Sequence, residues 1–198
     1  MTGDAALLEA LAALTRALDR FGKPFMLIGG LAVIARGVPR DTDDIDATVW
    51  APGLDLDDLL AALREEGITG RIPDLDAFAR RSQVLLLHHE PTGTPLEISL
   101  AWLPFEREAM SRAETLVLGG ARLPVALAED LVVYKVVAWR DRDRADVERL
   151  LATHRGSIDL DRVRDLVRRF AEALDEPERI AEFEGMVRRV GDVGDDGR

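Results

Sequence analysis

Leu7, Leu11, Leu14 and Leu18 recur at alternating steps of four and three, which predicts an amphipathic helix over about 4–20. A short apolar run at 24–28 reads as a strand. Gly29-Gly30 closes it and opens a helix that runs to about 36, where Gly37-Val38-Pro39 breaks the pattern. A strand is predicted at 45–50, a helix at 55–66 ended by Gly67, and a helical turn at 73–79. Strands at 83–88 and 95–101 follow, with Pro91-Thr92-Gly93-Thr94 between them as a hairpin connection. A short helix starts near Pro104, and strands at 115–118 and 121–125 flank Gly119-Gly120. Beyond Val125 the pattern is wholly helical, at 126–139, 143–153, 159–173 and 177–190. The expected fold class is therefore α/β of the α+β kind: an α/β core over 1–125, a C-terminal helical subdomain over 126–190, and a disordered tail over 191–198.

Composition narrows the function without choosing it. Hydrophobic residues make up 47% of the 198 positions but aromatics only 5%, so the core is built from Leu, Val, Ile and Ala. The formal net charge of -11 argues against a protein that lives on bulk phosphate contacts, although arginines between Arg140 and Arg169 leave room for a local basic patch. There are no cysteines, which excludes disulfides and thiolate zinc sites. No stretch approaches the roughly 18 apolar residues of a membrane span, and the N-terminus lacks a basic leader, so a cytoplasmic protein is expected.

The carboxylates carry the candidate chemistry. Asp44 and Asp46 stand two apart at a strand, so both project to one face while Ile45 and Val49 turn inward. Two parallel carboxylates repel unless a cation lies between them, and Mg²⁺ suits oxygen ligands and phosphate-bearing substrates. The alternative is a solvated acidic turn formed by Asp41, Asp43, Asp44 and Asp46. Upstream, Gly29-Gly30 lets the backbone approach an anion such as a phosphate, at N–H groups that a helix start leaves exposed. Glu97 is the candidate third carboxylate, sharing with Ser99 the strand face opposite Leu96, Ile98 and Leu100. Its other reading is an ordinary solvent-facing glutamate. Arg40 is the better candidate than Arg36 for a triphosphate contact, because guanidinium binds phosphate bidentately.

Leu27-Ile28-Gly29-Gly30 followed by Arg40-Asp41-Thr42-Asp43-Asp44-Ile45-Asp46 resembles the signature of the DNA polymerase β-type nucleotidyltransferase superfamily. It is similar to minimal bacterial members, including AbiEii-type toxins of type IV toxin–antitoxin systems. Glu129-Asp130-Leu131 through Lys135, Arg140, Asp143 and Asp146 resembles the AbiEii helical pattern, so the likeness spans roughly residues 24 to 150. It implies a mixed sheet with flanking helices and transfer of an NMP group from an NTP, with Mg²⁺ or Mn²⁺, to an acceptor hydroxyl. The acceptor could be a tRNA end, a protein or a small molecule, and an antitoxin protein is an implied partner. Asp44, Asp46 and Glu97 would be the catalytic metal ligands, Glu97 standing where the family often has Asp. Gly29, Gly30, Arg40, Thr42 and Lys135 would meet the nucleotide. The rival reading is a catalytically inactive module of the same fold that binds a nucleotide or a partner protein.

Physical chemistry singles out Lys135 independently. Leu127, Leu131, Lys135 and Trp139 share one helical face, where an amine must reach an anion such as a phosphate or snorkel to water. Asp143 and Asp146 border the core side of the next helix. They could pair with Lys135 or Arg140, line a cleft, or, at Asp141 or Asp143, start the helix. His88, His89 and His154 show no ligand spacing and are expected to be structural or surface residues.

Overall fold

The computed structural model describes residues 2–192, with side chains from 5 to 191. The chain divides into two compact units. One is the chain up to Ala35 together with Arg40–Ala126, and the other is Arg36–Pro39 together with the chain from Leu127 onward. The Gly37 breaker segment thus belongs to the second unit, although it is flanked in sequence by the first.

The first unit is built on a seven-stranded mixed sheet. Its strands are β1 (Phe25–Ile28), β2 (Ile45–Trp50), β3 (Ile68–Gly70), β4 (Val84–His89), β5 (Thr94–Ala101), β6 (Glu114–Leu118) and β7 (Ala121–Val125), in the order β3-β4-β5-β2-β1-β7-β6. β2 runs parallel to β5, and β1 parallel to β7, while the other neighbours are antiparallel. Its helices are α1 (Thr2–Phe21), α2 (Gly29–Ala35), α3 (Leu56–Glu65), α4 (Leu75–Ser82) and α5 (Pro104–Arg112). Leu11, Leu14 and Leu18 of α1 are buried, as the stripe requires, and Leu7 is half-buried. Ile45, Ala47 and Val49 of β2 and Leu96, Ile98 and Leu100 of β5 form a buried face by period-two alternation. Asp55 caps α3, accepting from the Asp57 and Asp58 amides.

The second unit is helical: α6 (Ala128–Ala138), α7 (Asp141–Thr153), α8 (Leu160–Ala173) and α9 (Glu178–Asp192). α6 carries few polar positions and is buried on most sides, while α7 and α8 bury one stripe each. Glu129 and Asp130 are buried at the start of α6. Arg162 reaches Asp130 at 2.8 Å, and Glu129 accepts the Asp159 amide at 3.0 Å. Several arginines that left room for a basic patch are matched by carboxylates: Arg144 by Asp141 and Glu182, Arg164 by Asp161 and Glu184, Arg168 and Arg169 by Asp165.

The elements depart from the periodicity in several places. β3 was not expected, because three residues are too few for alternation to register. The turn at 73–79 is a full helix, α4. α7 begins at Asp141 rather than 143. Of the expected tail, Gly191 and Asp192 continue α9, and 193–198 lie outside the described residues. No helix among the described residues is long and apolar enough to cross a membrane.

Candidate nucleotide and metal site

The turn from β1 into α2 is shaped around a carboxylate. Ile28, the last residue of β1, pairs with Asp46 of β2, which brings Asp46 beside Gly29. Gly29 has φ +66, and a Cβ built there would lie 1.8 Å from Asp46 Oδ2 and 2.4 Å from its Cβ. Glycine is thus required both for the left-handed backbone and for the room that Asp46 occupies. A Cβ on Gly30 would lie 2.5 Å from Thr42 Oγ1 and 3.0 Å from the Arg40 Cζ. Thr42 in turn donates to Asp44 Oδ1 at 2.7 Å. Gly29, Gly30, Arg40, Thr42, Asp44 and Asp46 therefore form one contiguous cluster, drawn together because β2 folds back antiparallel on β1. Asp44 and Asp46 are half-buried on either side of the fully buried Ile45.

The Gly29 geometry has a direct consequence. Gly29→Ala should lower stability by about 1–3 kcal/mol, from backbone strain plus displacement of Asp46. Gly93→Ala is the control: Gly93 also has positive φ, +71, but a Cβ there would meet nothing within 4 Å. Urea melts should show the larger loss for Gly29→Ala. Equal losses would mean that the Asp46 contact carries no energy.

Glu97 lies opposite Asp46 in the parallel β2–β5 pair, so the two side chains leave the same face of the sheet. Its carboxylate is held by Arg71, with Nη2 to Oε1 at 2.5 Å. Among the described residues, no three His, Cys, Asp or Glu side chains are gathered closely enough to hold a metal ion. The donor set is thus a pair of aspartates with a third carboxylate one strand away, engaged elsewhere. That still suits Mg²⁺, which is commonly bound through one or two carboxylates, substrate phosphates and water.

Beside the cluster lies a groove of about 710 Å³. Leu7, Leu31 and Ile34 give it an apolar side, and the loop Arg40-Asp41-Thr42-Asp43 lines another. Asp41 and Asp43 are exposed, whereas Asp44 and Asp46 are half-buried. The acidic run is accordingly not one uniformly solvated turn.

In the helical unit Lys135 is buried. Its Nζ lies 3.0 Å from Asp143 Oδ1 and 3.1 Å from Asp146 Oδ2. Asp143 also accepts from the Arg140 amide at 3.1 Å and from Arg140 Nε at 2.7 Å. Burial works to raise the Asp143 pKa, but the hydrogen bonds from Arg140 and Lys135 outweigh it and hold the carboxyl below the usual aspartate range. Asp143 thus joins the α7 start to the lysine, and Asp146 pairs with the lysine as well. Of the arrangements open to this motif, both aspartates pair with Lys135, and Asp143 also pairs with Arg140 and closes the start of α7. His89 is buried with Nδ1 2.9 Å from Thr92 Oγ1, and burial lowers its pKa. His154 Nε2 lies 2.7 Å from the Arg36 carbonyl oxygen. Sequence reasoning did not single out Arg71, because it follows the three-residue β3 and has no periodic context of its own.

The fold is shared with solved structures at low sequence identity. The solution structure of the antibiotic-resistance factor ANT(2'')-Ia matches with a TM-score of 0.59 and 18% identity, over 88% of this chain and 96% of that one. The crystal structure of ANT(2'')-Ia in complex with adenylyl-2''-tobramycin matches with a TM-score of 0.56 and 19% identity, over 88% and 99%. JHP933 from Helicobacter pylori matches with a TM-score of 0.50 and 20% identity, over 94% and 91%. No curated protein matches the chain. None of these likenesses singles out the AbiEii type. The model of the family described as nucleotidyltransferase of unknown function (DUF6036) matches residues 5–189, and the chain belongs to that family of nucleotidyltransferases.

Proposed function

We propose that the chain transfers an NMP group from an NTP to an acceptor hydroxyl, at the cluster formed by Gly29, Gly30, Arg40, Thr42, Asp44 and Asp46. The observation that carries this reading is the seating of the Asp46 carboxylate against Gly29, with Arg40 and Thr42 against Gly30. A phosphate-approachable turn and a metal-competent carboxylate pair thereby share one corner of the sheet. Asp44 and Asp46 would hold Mg²⁺ or Mn²⁺, which when bound neutralises phosphate charge and polarises the phosphoryl group. The Gly29-Gly30 backbone and the Arg40 guanidinium would orient the triphosphate, and Thr42 fixes the direction of Asp44. Glu97, on the same face, would take the acceptor's proton. The acceptor oxygen forms a bond to the α-phosphorus, the bond from that phosphorus to the bridging oxygen breaks, and pyrophosphate leaves.

In the helical unit, Lys135, Arg140, Asp143 and Asp146 brace the start of α7 against α6. A cytoplasmic toxin paired with an antitoxin protein is the finer reading suggested by the AbiEii likeness. A small-molecule hydroxyl leads among acceptors, since ANT(2'')-Ia of the same fold is seen with adenylyl-2''-tobramycin.

Each NTP labelled at the α-phosphate, incubated with Mg²⁺ and an aminoglycoside panel, bulk tRNA or a cell extract, tests the proposal. Label should leave one NTP for one acceptor fraction with wild type and stay behind with Asp46→Asn. Label that never leaves any NTP would favour the inactive, nucleotide-binding module.

A further inference from the structure

We infer that Arg71 is a positioning residue for Glu97, holding the third carboxylate away from Asp44 and Asp46 until a divalent cation competes for it. This rests on the two-aspartate metal reading above. The sheet register places the groups in one row. Gly70 pairs with Leu87, and the Arg71 amide donates to the Leu86 carbonyl at 3.1 Å, so Arg71 continues the β3–β4 register opposite Leu86. Leu86 pairs with Glu97, and Glu97 with Asp46. Residues in register leave the same sheet face. Arg71, Leu86, Glu97 and Asp46 thus follow one another from the residue after β3 across β4, β5 and β2, and the guanidinium reaches over the uncharged Leu86 to the Glu97 carboxylate.

Glu97 has an anionic neighbour in register on one side and a cation beyond Leu86 on the other. With no metal charge between the carboxylates, Coulomb attraction draws it to Arg71 and repulsion keeps it from Asp46. Among the described residues, Arg71 and Glu97 are each other's only ion-pair partner. A cation at Asp44 and Asp46 reverses the balance, and the carboxylate must give up the guanidinium to join it. The Arg71 and Glu97 side chains are 34% and 42% exposed, so water screens the pair and the competition is a several-fold effect.

The test uses Mn²⁺ alone, with free ion followed by electron paramagnetic resonance in full-length protein. Arg71→Gln should bind Mn²⁺ about three- to fivefold tighter than wild type, the size expected of a partly exposed ion pair. Arg71→Lys should return most of the way to wild type. In a Glu97→Gln background, Arg71→Gln should bring no gain, because the competing carboxylate is gone. Equal affinity of wild type and Arg71→Gln, or a gain that survives in Glu97→Gln, overturns the inference. So does loss of the circular dichroism signature in Arg71→Gln, which would make the pair a structural brace. Asp46→Asn separates the two levels: if it binds Mn²⁺ as wild type does, the two-aspartate reading fails and takes this inference with it. If Asp46→Asn alone loses binding while Arg71→Gln is unchanged, only the role of Arg71 is lost.

Discussion

Asp46→Asn is expected to abolish nucleotidyl transfer while the chain still folds. Asn has nearly the volume of Asp, so the contact with Gly29 is kept and the strand register need not change. What is lost is one negative charge on a side chain proposed to bind the metal directly. Divalent-cation affinity follows ligand charge, and polarisation of the phosphate depends on that cation. Thermal melts in chelator and in Mg²⁺ with NTP provide the check besides activity. A ligand that binds only the native state at a hundred times its Kd stabilises by about 2.7 kcal/mol. Wild type should show a shift of that order and Asp46→Asn little. Equal shifts in the two proteins would show that Asp46 holds no metal, and the inactive-module reading would lead.

Lys135→Met is expected to have the largest effect on stability, about 3–5 kcal/mol. The substitution leaves the buried carboxylates of Asp143 and Asp146 without the amine that lies within 3.1 Å of both. Truncating one partner of a buried ion pair costs more than the pair itself contributes, because the remaining charge stays out of water. Adding Asp143→Asn and Asp146→Asn to Lys135→Met should recover much of the loss, and failure to recover would locate the cost in packing instead. The pH dependence has a defined sign. The Asp143 carboxyl is depressed in the folded state, so its contribution is complete above the ordinary aspartate range of about 4 and is lost as pH falls through the lower folded value. Wild-type stability should therefore drop on acidification below about pH 4. In Lys135→Met that slope should flatten, since burial then opposes the charged form with only Arg140 to offset it. Parallel acid slopes in the two proteins would remove Lys135 as a cause of the depressed pKa.

Long, strongly periodic segments were legible in the sequence. The α1 leucine stripe, the alternation of Leu96, Ile98 and Leu100 against Glu97 and Ser99, and the amphipathic helices after Arg140 each repeat often enough to declare their element. The local chemistry of the Gly29-Gly30 turn and the i, i+2 relation of Asp44 and Asp46 was legible for the same reason, since both are short-range facts. The tertiary structure decided which of these groups meet. Sequence places Gly29 and Asp46 far apart, and only the antiparallel return of β2 against β1 seats the carboxylate where a Gly29 Cβ would be. Sequence put Glu97 on a polar face, but the parallel β2–β5 register chose Asp46 as its neighbour and the residue after β3, Arg71, became its partner. Lys135 shows the same limit. Helical spacing established that its amine faced an apolar stripe, and packing of α7 on α6 determined that two aspartates would be its anions. Period and propensity act over a few residues, whereas pairing of charges across elements depends on register and docking, which no local pattern encodes.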